Sequence, residues 1–390
     1  MIYRRFGRTE IKMPVFSCGG MRYQYRWQDR PFSLIPKESQ KNLESIVERA
    51  LSHGINHFET ARGYGTSERQ LGKILPRLQR ESIIVQTKVG PKKDSSEFVS
   101  EFEDSLKRLN LNYVDLFAIH GVNNEERLEW TLSENGCLEA ARKLQLEGKA
   151  RFIGFSTHAP TRLIVEAINT DRNDGFDYIN LHWYYIFQNN WPAILEAKKK
   201  DMGVFIISPS DKGGKLYLPP KKLIELCKPL HPMAFNDLFC LSHPEIHTLS
   251  IGASKPKDFD LHVRSLKLLP EAGNILPPII ERLENTKYQA VGKKFALEYA
   301  ERLPQWHDTP GNINIPFIVW LYVLAKSYDM IDYARMRYKQ LGKDPLWNPG
   351  NNAEKTDELD IESFLLGYTG DKDFARKIHD ILITAHREFG

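Results

Sequence analysis

The sequence predicts an α/β protein, a (β/α)8 TIM barrel with an N-terminal hairpin and a C-terminal helical extension. Three observations predict it. Eight short apolar, β-branched runs recur between residues 15 and 253. Longer amphipathic segments separate them, the alternation expected of a parallel sheet with helices outside it. The first run is not followed by GxGxxG, the turn that opens a dinucleotide-binding open sheet, and this weighs against that competing arrangement.

The first fourteen residues, MIYRRFGRTEIKMP, read as a hairpin turning at Gly7-Arg8-Thr9. The strand-like runs follow: VFSCGG (15–20), INHFET (55–60), SIIVQTKV (82–89), YVDLFAIH (113–120), ARFIGFS (150–156), FDYINLH (176–182), MGVFIIS (202–208) and IHTLSIGA (246–253). Between the first two, residues 37–54 place Leu43, Ile46, Val47 and Ala50 at i, i+3, i+4 and i+7, the apolar stripe of a helix. Gly54, Asn110 and Gly148 stand where such helices end. The barrel is expected over residues 1–272, near the usual size of about 250 residues, and the extension over 273–390.

Bulk properties narrow the function. A chain of 390 residues, 41% hydrophobic and 27% charged, buries a sizeable core. Its formal charge of +4 is too weak for a nucleic-acid partner but leaves cations for a phosphorylated small ligand. Cys18, Cys137, Cys227 and Cys240 are widely spaced with no CxxC pair, which suggests neither a disulfide framework nor a zinc site and fits a reducing cytoplasm. The N-terminus has no apolar core of a signal peptide. INIPFIVWLYVLA (313–325) is too short for a membrane-spanning helix, which needs about 20 residues, and reads as a buried helix of a soluble protein.

Barrels of this kind carry their active sites at the C-terminal ends of the strands. There the second run ends in Glu59 with Tyr64 behind it, the third in Lys88 and the fourth in His120. The fifth ends in Ser156, the sixth holds Asn180 and the seventh ends in Ser208. A tyrosine, pKa near 10, is a reluctant acid at neutral pH. A neighbouring ammonium favours its phenolate, and that ammonium needs a carboxylate once out of water. A histidine can orient a carbonyl beside them. The set suits reduction of C=O, with Tyr64 protonating the oxygen as hydride arrives.

FETARGYGTSERQLG, VQTKVG, LKRLNLNYVDLFAIHG, GKARFIGFSTH and SIGASKPKDFD together resemble the aldo-keto reductase superfamily over roughly residues 1–270. The resemblance implies Tyr64 as proton donor, Lys88 as the group that tunes it, Glu59 as the carboxylate paired with Lys88, and His120 as the carbonyl-orienting group. The family has Asp where Glu59 stands. One extra methylene lengthens the reach by roughly 1.3 Å, and misplacement of that order costs on the order of 100-fold in rate. Either the backbone has backed off or the enzyme is slow.

The resemblance also implies NADP(H) as cofactor, lying extended across the barrel mouth. Ser156, Thr157 and Asn180 map to the carboxamide contacts, and Ser208, Pro209, Ser210 and Lys212 to the pyrophosphate loop. Ile207 stands where an aromatic ring often stacks on the nicotinamide. Gly252, Ala253, Ser254, Lys255 and Asp258 map to the adenosine end, where Ser254, Lys255 or Lys257 would neutralise a 2′-phosphate. The arginine often found there is absent, and Asp258 falls near its position. The tail resembles a C-terminal extension that carries iron–sulfur clusters in one branch of the superfamily, with Asn314-Ile315-Pro316 intact. No cysteine follows Cys240, and a cluster needs about four, so no metal centre is expected. A packed helical annex is expected instead, with Trp306, Trp320 and Trp347 in its core; the alternative is an annex overhanging the barrel mouth.

The expected partner is a small-molecule aldehyde or ketone, with no nucleic acid or membrane, and with oligomeric state open. The aromatic and basic loop 20–36 and His182-Trp183-Tyr184-Tyr185 would suit an aromatic or anionic carbonyl compound, or simply stack at the surface. Two other classes compete. One is an NADP(H)-binding regulatory or redox-sensing module with weak turnover. The other is a metal-dependent hydrolase using His120, His158 and His182, which the nearby Lys88 disfavours.

Overall fold

The computed structural model describes residues 1–390, and the chain divides into two compact units. The first comprises Met1–Gly213 and Asn236–Ala272. It opens with a hairpin in which β1 (Tyr3–Arg5) pairs antiparallel with β2 (Lys12–Pro14) around a 3-10 turn at Gly7–Thr9. Eight parallel strands then close a barrel: β3 (Phe16–Gly19), β4 (His57–Glu59), β5 (Ile84–Val89), β6 (Val114–His120), β7 (Ala150–Ser156), β8 (Tyr178–Leu181), β9 (Gly203–Ile206) and β10 (Thr248–Gly252), with β10 returning to β3. Each predicted run contains one strand. Most strands are shorter than their runs, so Ser208 lies in a loop rather than in a strand, while β7 fills its run to Ser156.

All six residues of β5 and all four of β8 are buried, as expected of strands covered on one face by helices and on the other by the barrel interior. The hairpin's Phe6, Ile11 and Met13 join a core with Ile84, Leu116, Ala118, Tyr178 and Phe205. Gly203 makes room for this plug, since a Cβ there would lie 2.7 Å from the Phe6 ring. The opposite end of the barrel is left for a site. Asn110, at φ 53°, and Gly54 and Gly148, at φ 76° and 74°, end their helices in the left-handed region.

The second unit comprises Gly214–Phe235 and Gly273–Gly390. Its principal helices are Lys293–Arg302, Ile315–Tyr328, Ile331–Tyr338, Ile361–Thr369 and Lys372–Phe389. The apolar segment at 313–325 forms the buried helix Ile315–Tyr328, whose N-terminus is capped by Asn314 accepting from the Phe317 amide at 3.2 Å. Trp306, Trp320 and Trp347, expected in its core, are only half-buried; Trp320 packs against Phe317 with ring centroids 5.3 Å apart. No helix is long and apolar enough to cross a membrane.

Candidate active site

Glu59 ends β4, Lys88 is the penultimate residue of β5 and His120 ends β6. Neighbouring parallel strands bring these ends side by side. The loop after β4 turns back, with the Tyr64 amide bonded to the Ala61 carbonyl at 3.0 Å, and carries Tyr64 in beside them. Gly65, at φ 53°, completes this turn, and any Cβ there would collide with the Arg26 carbonyl of the loop after β3. That loop is held by the Thr66 amide on the Arg26 carbonyl at 3.2 Å and by the Tyr25 amide on Gln70 Oε1 at 2.9 Å. It sets Trp27, 59% exposed, edge-on to Tyr64 with ring centroids 6.1 Å apart.

Four predicted residues converge here. Lys88 Nζ donates to Glu59 Oε1 and to the Thr60 carbonyl, the latter at 2.9 Å. Lys88 is 1% and Glu59 3% exposed, so each charge depends on the other. Nζ lies 4.7 Å from the centroid of the Tyr64 ring, and the Tyr64 and His120 rings meet at 81° with centroids 5.7 Å apart. The extra methylene of Glu59 does not cost the contact. Its second oxygen accepts from Ser250 Oγ at 3.3 Å, a hydroxyl that a side chain at Gly19, opposite Glu59 on β3, would collide with. Nothing local in the sequence marks Ser250 or Gly19 as the carboxylate's surroundings.

The electrostatics depart from expectation. The pKa of Tyr64 is raised, by burial first and by Tyr23 second, rather than lowered by Lys88. Loss of water on burial prevails at the phenol. Burial likewise pulls Lys88 well below the usual lysine value. His120 is held well below the usual histidine value by burial and by the positive charges of Lys88, Arg127 and Lys212, so it is a neutral imidazole near pH 7. Arg127, which sequence reasoning missed, donates to the His120 and Gly121 carbonyls at 2.8 and 2.6 Å and fixes the end of β6.

The residues mapped to a dinucleotide fall into three groups. Asn180 is buried, and neither its amide oxygen nor its nitrogen has a partner. Ser156 Oγ, by contrast, accepts from the Gly121 amide at 3.1 Å, while Thr157 Oγ1 donates to the Val122 carbonyl at 2.7 Å and accepts from the Ala159 amide at 3.0 Å. Those two hydroxyls already tie loops together. In the second group, the Ser208 carbonyl accepts from the Lys212 and Gly213 amides, and Pro209's carbonyl from Asn236 Nδ2 at 3.2 Å. Ser208 adopts φ 54°, Ser210 Oγ is buried without a partner, and Lys212 Nζ lies 3.2 Å from His158 Nδ1.

The third group is arranged against expectation. Asp258 Oδ2 accepts from the Ser254 amide and hydroxyl at 2.8 and 3.0 Å and from the Lys255 amide at 3.4 Å. The donors expected to meet a 2′-phosphate are thus engaged by a carboxylate of the chain itself, leaving the exposed Lys255 and Lys257 ammonium groups for that role. The Gly252 carbonyl accepts from Arg22 at 2.9 Å, and Ala253 is buried. His120, His158 and His182 do not form a three-ligand metal cluster. An unpartnered buried amide on β8 and an unpartnered buried hydroxyl in the loop after β9 are groups that a bound polar ligand satisfies, so the site fits a dinucleotide at its carboxamide and pyrophosphate positions.

Residues 17–214, just over half of the chain, match the model described as aldo/keto reductase family. Among curated proteins, the chain is 35% identical over 216 residues to L-galactose dehydrogenase of Arabidopsis thaliana, covering 53% of this chain and 64% of that protein. It is 29% identical over 179 residues to L-glyceraldehyde 3-phosphate reductase of Escherichia coli (strain K12), covering 42% and 47%. The chain thus spans less than two thirds of the length of these relatives. Among solved structures it resembles an aldo-keto reductase of Bacillus halodurans in its holo form, with 21% identity, a TM-score of 0.59 and coverage of 72% of this chain and 96% of that one. It also resembles an aldo-keto reductase of Klebsiella pneumoniae in complex with NADPH, with 17% identity, a TM-score of 0.56 and coverage of 71% and 95%. At those identities the solved structures speak for the fold.

Proposed function

The chain belongs to the aldo/keto reductase family, and on that premise we propose that it is an NADP(H)-dependent oxidoreductase reducing aldehydes or ketones to alcohols, with Tyr64 as general acid. The observation that carries this reading is the convergence of Tyr64, His120 and the buried Lys88–Glu59 pair at one end of the barrel. Residues 1–272 are the catalytic part in this reading and 273–390 a helical annex. A cytoplasmic setting fits four cysteines that are all unpaired.

Asn180 would hold the carboxamide, and Ser208, Pro209, Ser210 and Lys212 the pyrophosphate. Ser156 and Thr157 act behind them by shaping the loops that flank the carboxamide site. Lys255, with Lys257, meets the 2′-phosphate beside the Gly252–Asp258 turn, where Ser254 and Asp258 brace each other. NADPH supplies the hydride. Neutral His120 donates a hydrogen bond to the substrate carbonyl and holds it against Tyr64. As hydride reaches the carbon, the oxygen becomes an alkoxide, a stronger base than a phenolate, and takes the Tyr64 proton even from a phenol whose pKa is raised. Lys88, kept charged by Glu59, then faces the phenolate that remains.

Tyr64→Phe tests the assignment. Carbonyl-dependent NADPH oxidation should fall by about 100-fold or more while NADPH binding persists; a rate within a few-fold of wild type removes Tyr64 from the acid role. The raised Tyr64 pKa favours a second reading, an NADP(H)-binding redox sensor with weak turnover. Tight NADPH binding with negligible turnover on a broad aldehyde panel would select it.

A further inference from the structure

Donor and acceptor roles at the ends of β7 and β8 follow from one carbonyl. The Ile207 oxygen only accepts, so Nδ1 of His182, 3.1 Å away, carries a proton. Tyr184 Oη, 3.4 Å from the same nitrogen, can then share that proton only as a second acceptor. A neutral His182 protonated at Nδ1 offers Nε2 as an acceptor. The His158 Nε2, 3.0 Å from it, must therefore be the donor. A neutral His158 protonated at Nε2 leaves Nδ1 as its acceptor, and the Lys212 ammonium, which only donates, lies 3.2 Å from Nδ1 and 3.4 Å from Nε2. The two imidazoles meet at 83° with centroids 4.3 Å apart, and the His158 amide is anchored on Asn123 Oδ1 at 2.7 Å.

The geometry points to His158 and His182 as positioning residues that aim Lys212 at the pyrophosphate of the bound dinucleotide, an inference that rests on the proposed cofactor site. A lysine has a flexible four-carbon stem and loses much freedom on binding an anion. Here an ordered relay runs from Lys212 through His158 and His182 to Ile207, so part of that ordering is complete before the ligand arrives. Lys212 sits in the turn whose amides, its own and that of Gly213, close on the Ser208 carbonyl, beside the unpartnered Ser210 hydroxyl. The relay therefore couples the end of β9 to the loop that would cradle phosphate. None of its four members is next to another in sequence.

The test is a double-mutant cycle read by NADPH fluorescence titration. Lys212→Ala and His158→Leu should each weaken NADPH binding by about fivefold to tenfold. The double variant should bind no more weakly than Lys212→Ala alone, because His158 acts only through the ammonium. A histidine that merely supports the fold would weaken binding in both backgrounds. If His158→Leu fails to fold, His158→Asn, too short to bridge both neighbours, is judged by the same criterion. Single effects that multiply in the double variant, or wild-type binding by the His158 variants, overturn the relay alone. Wild-type protein that binds no dinucleotide overturns the cofactor site and the relay with it.

Discussion

Replacing Glu59 with Gln removes the only carboxylate bonded to the Lys88 ammonium and leaves the side-chain volume unchanged. The ammonium then keeps only neutral acceptors, the Thr60 carbonyl at 2.9 Å and the amide oxygen of the substituted side chain, in a site where Lys88 is 1% exposed. Breaking a buried pair from one side costs about 3–5 kcal/mol, because the surviving charge is left without compensation. For a unit of this size that corresponds to a melting shift of about 6–15 °C. The pH dependence has a definite sign. Burial already lowers Lys88 in the folded protein, and losing Glu59 lowers it further. Between that depressed value and the unfolded value near 10.4, the unfolded chain binds more protons. Stability of Glu59→Gln therefore rises with pH across that window, and its deficit against wild type is largest where Glu59 is ionised and the variant's ammonium is still charged, and shrinks as pH rises above the variant's depressed Lys88 value. Denaturant unfolding of both proteins at several pH values measures the deficit. A deficit below about 1 kcal/mol, or one that does not change with pH, would show that the pair is not the buried, mutually dependent ion pair inferred here.

Asn180→Leu removes two buried polar atoms that have no partner, so melting of the nucleotide-free protein should stay level or rise while NADPH binding weakens by about tenfold or more; lower melting with unchanged binding refutes the carboxamide role. Gly65→Ala forces a side chain into φ 53° and against the Arg26 carbonyl, so turnover should fall by about 10-fold or more as the Tyr64 turn shifts; wild-type turnover would mean the turn does not place Tyr64. His120, held neutral by burial and by nearby cations, should contribute no limb to kcat/KM between pH 6 and 7, and an imidazole titrating near 6.5 by NMR would contradict this. The folded value of His120 is depressed, so its contribution to stability is present above pH 6.5 and is lost as pH falls below that, where the unfolded chain takes up the proton.

Much of the fold was legible because its signals are local. Alternating apolar runs and amphipathic stretches are written within a few residues of each other, and each of the eight runs contains a strand of the closed barrel. Gly7–Thr9 turns the hairpin, and Gly54, Asn110 and Gly148 end their helices in the left-handed conformation that such sequences favour. The clustering of Glu59, Lys88 and His120 was equally readable: in a parallel barrel, a residue at the end of a strand can only be at the mouth. What stands around those groups was not readable. Ser250 reaches Glu59 across 191 positions, and Gly19 leaves space for that hydroxyl, which a Cβ there would collide with. Sequence suggested that an ammonium would make Tyr64 more acidic; loss of water on burial, with Tyr23 close by, decided otherwise. Ser254 promised a phosphate contact until Asp258, four residues on, folded back onto it. Local patterning thus determined which elements form and which polar groups they present. Tertiary packing alone decided which of those groups are satisfied, neutralised or left waiting for a ligand, because hydrogen bonding and desolvation depend on neighbours that the chain brings together only when the barrel closes.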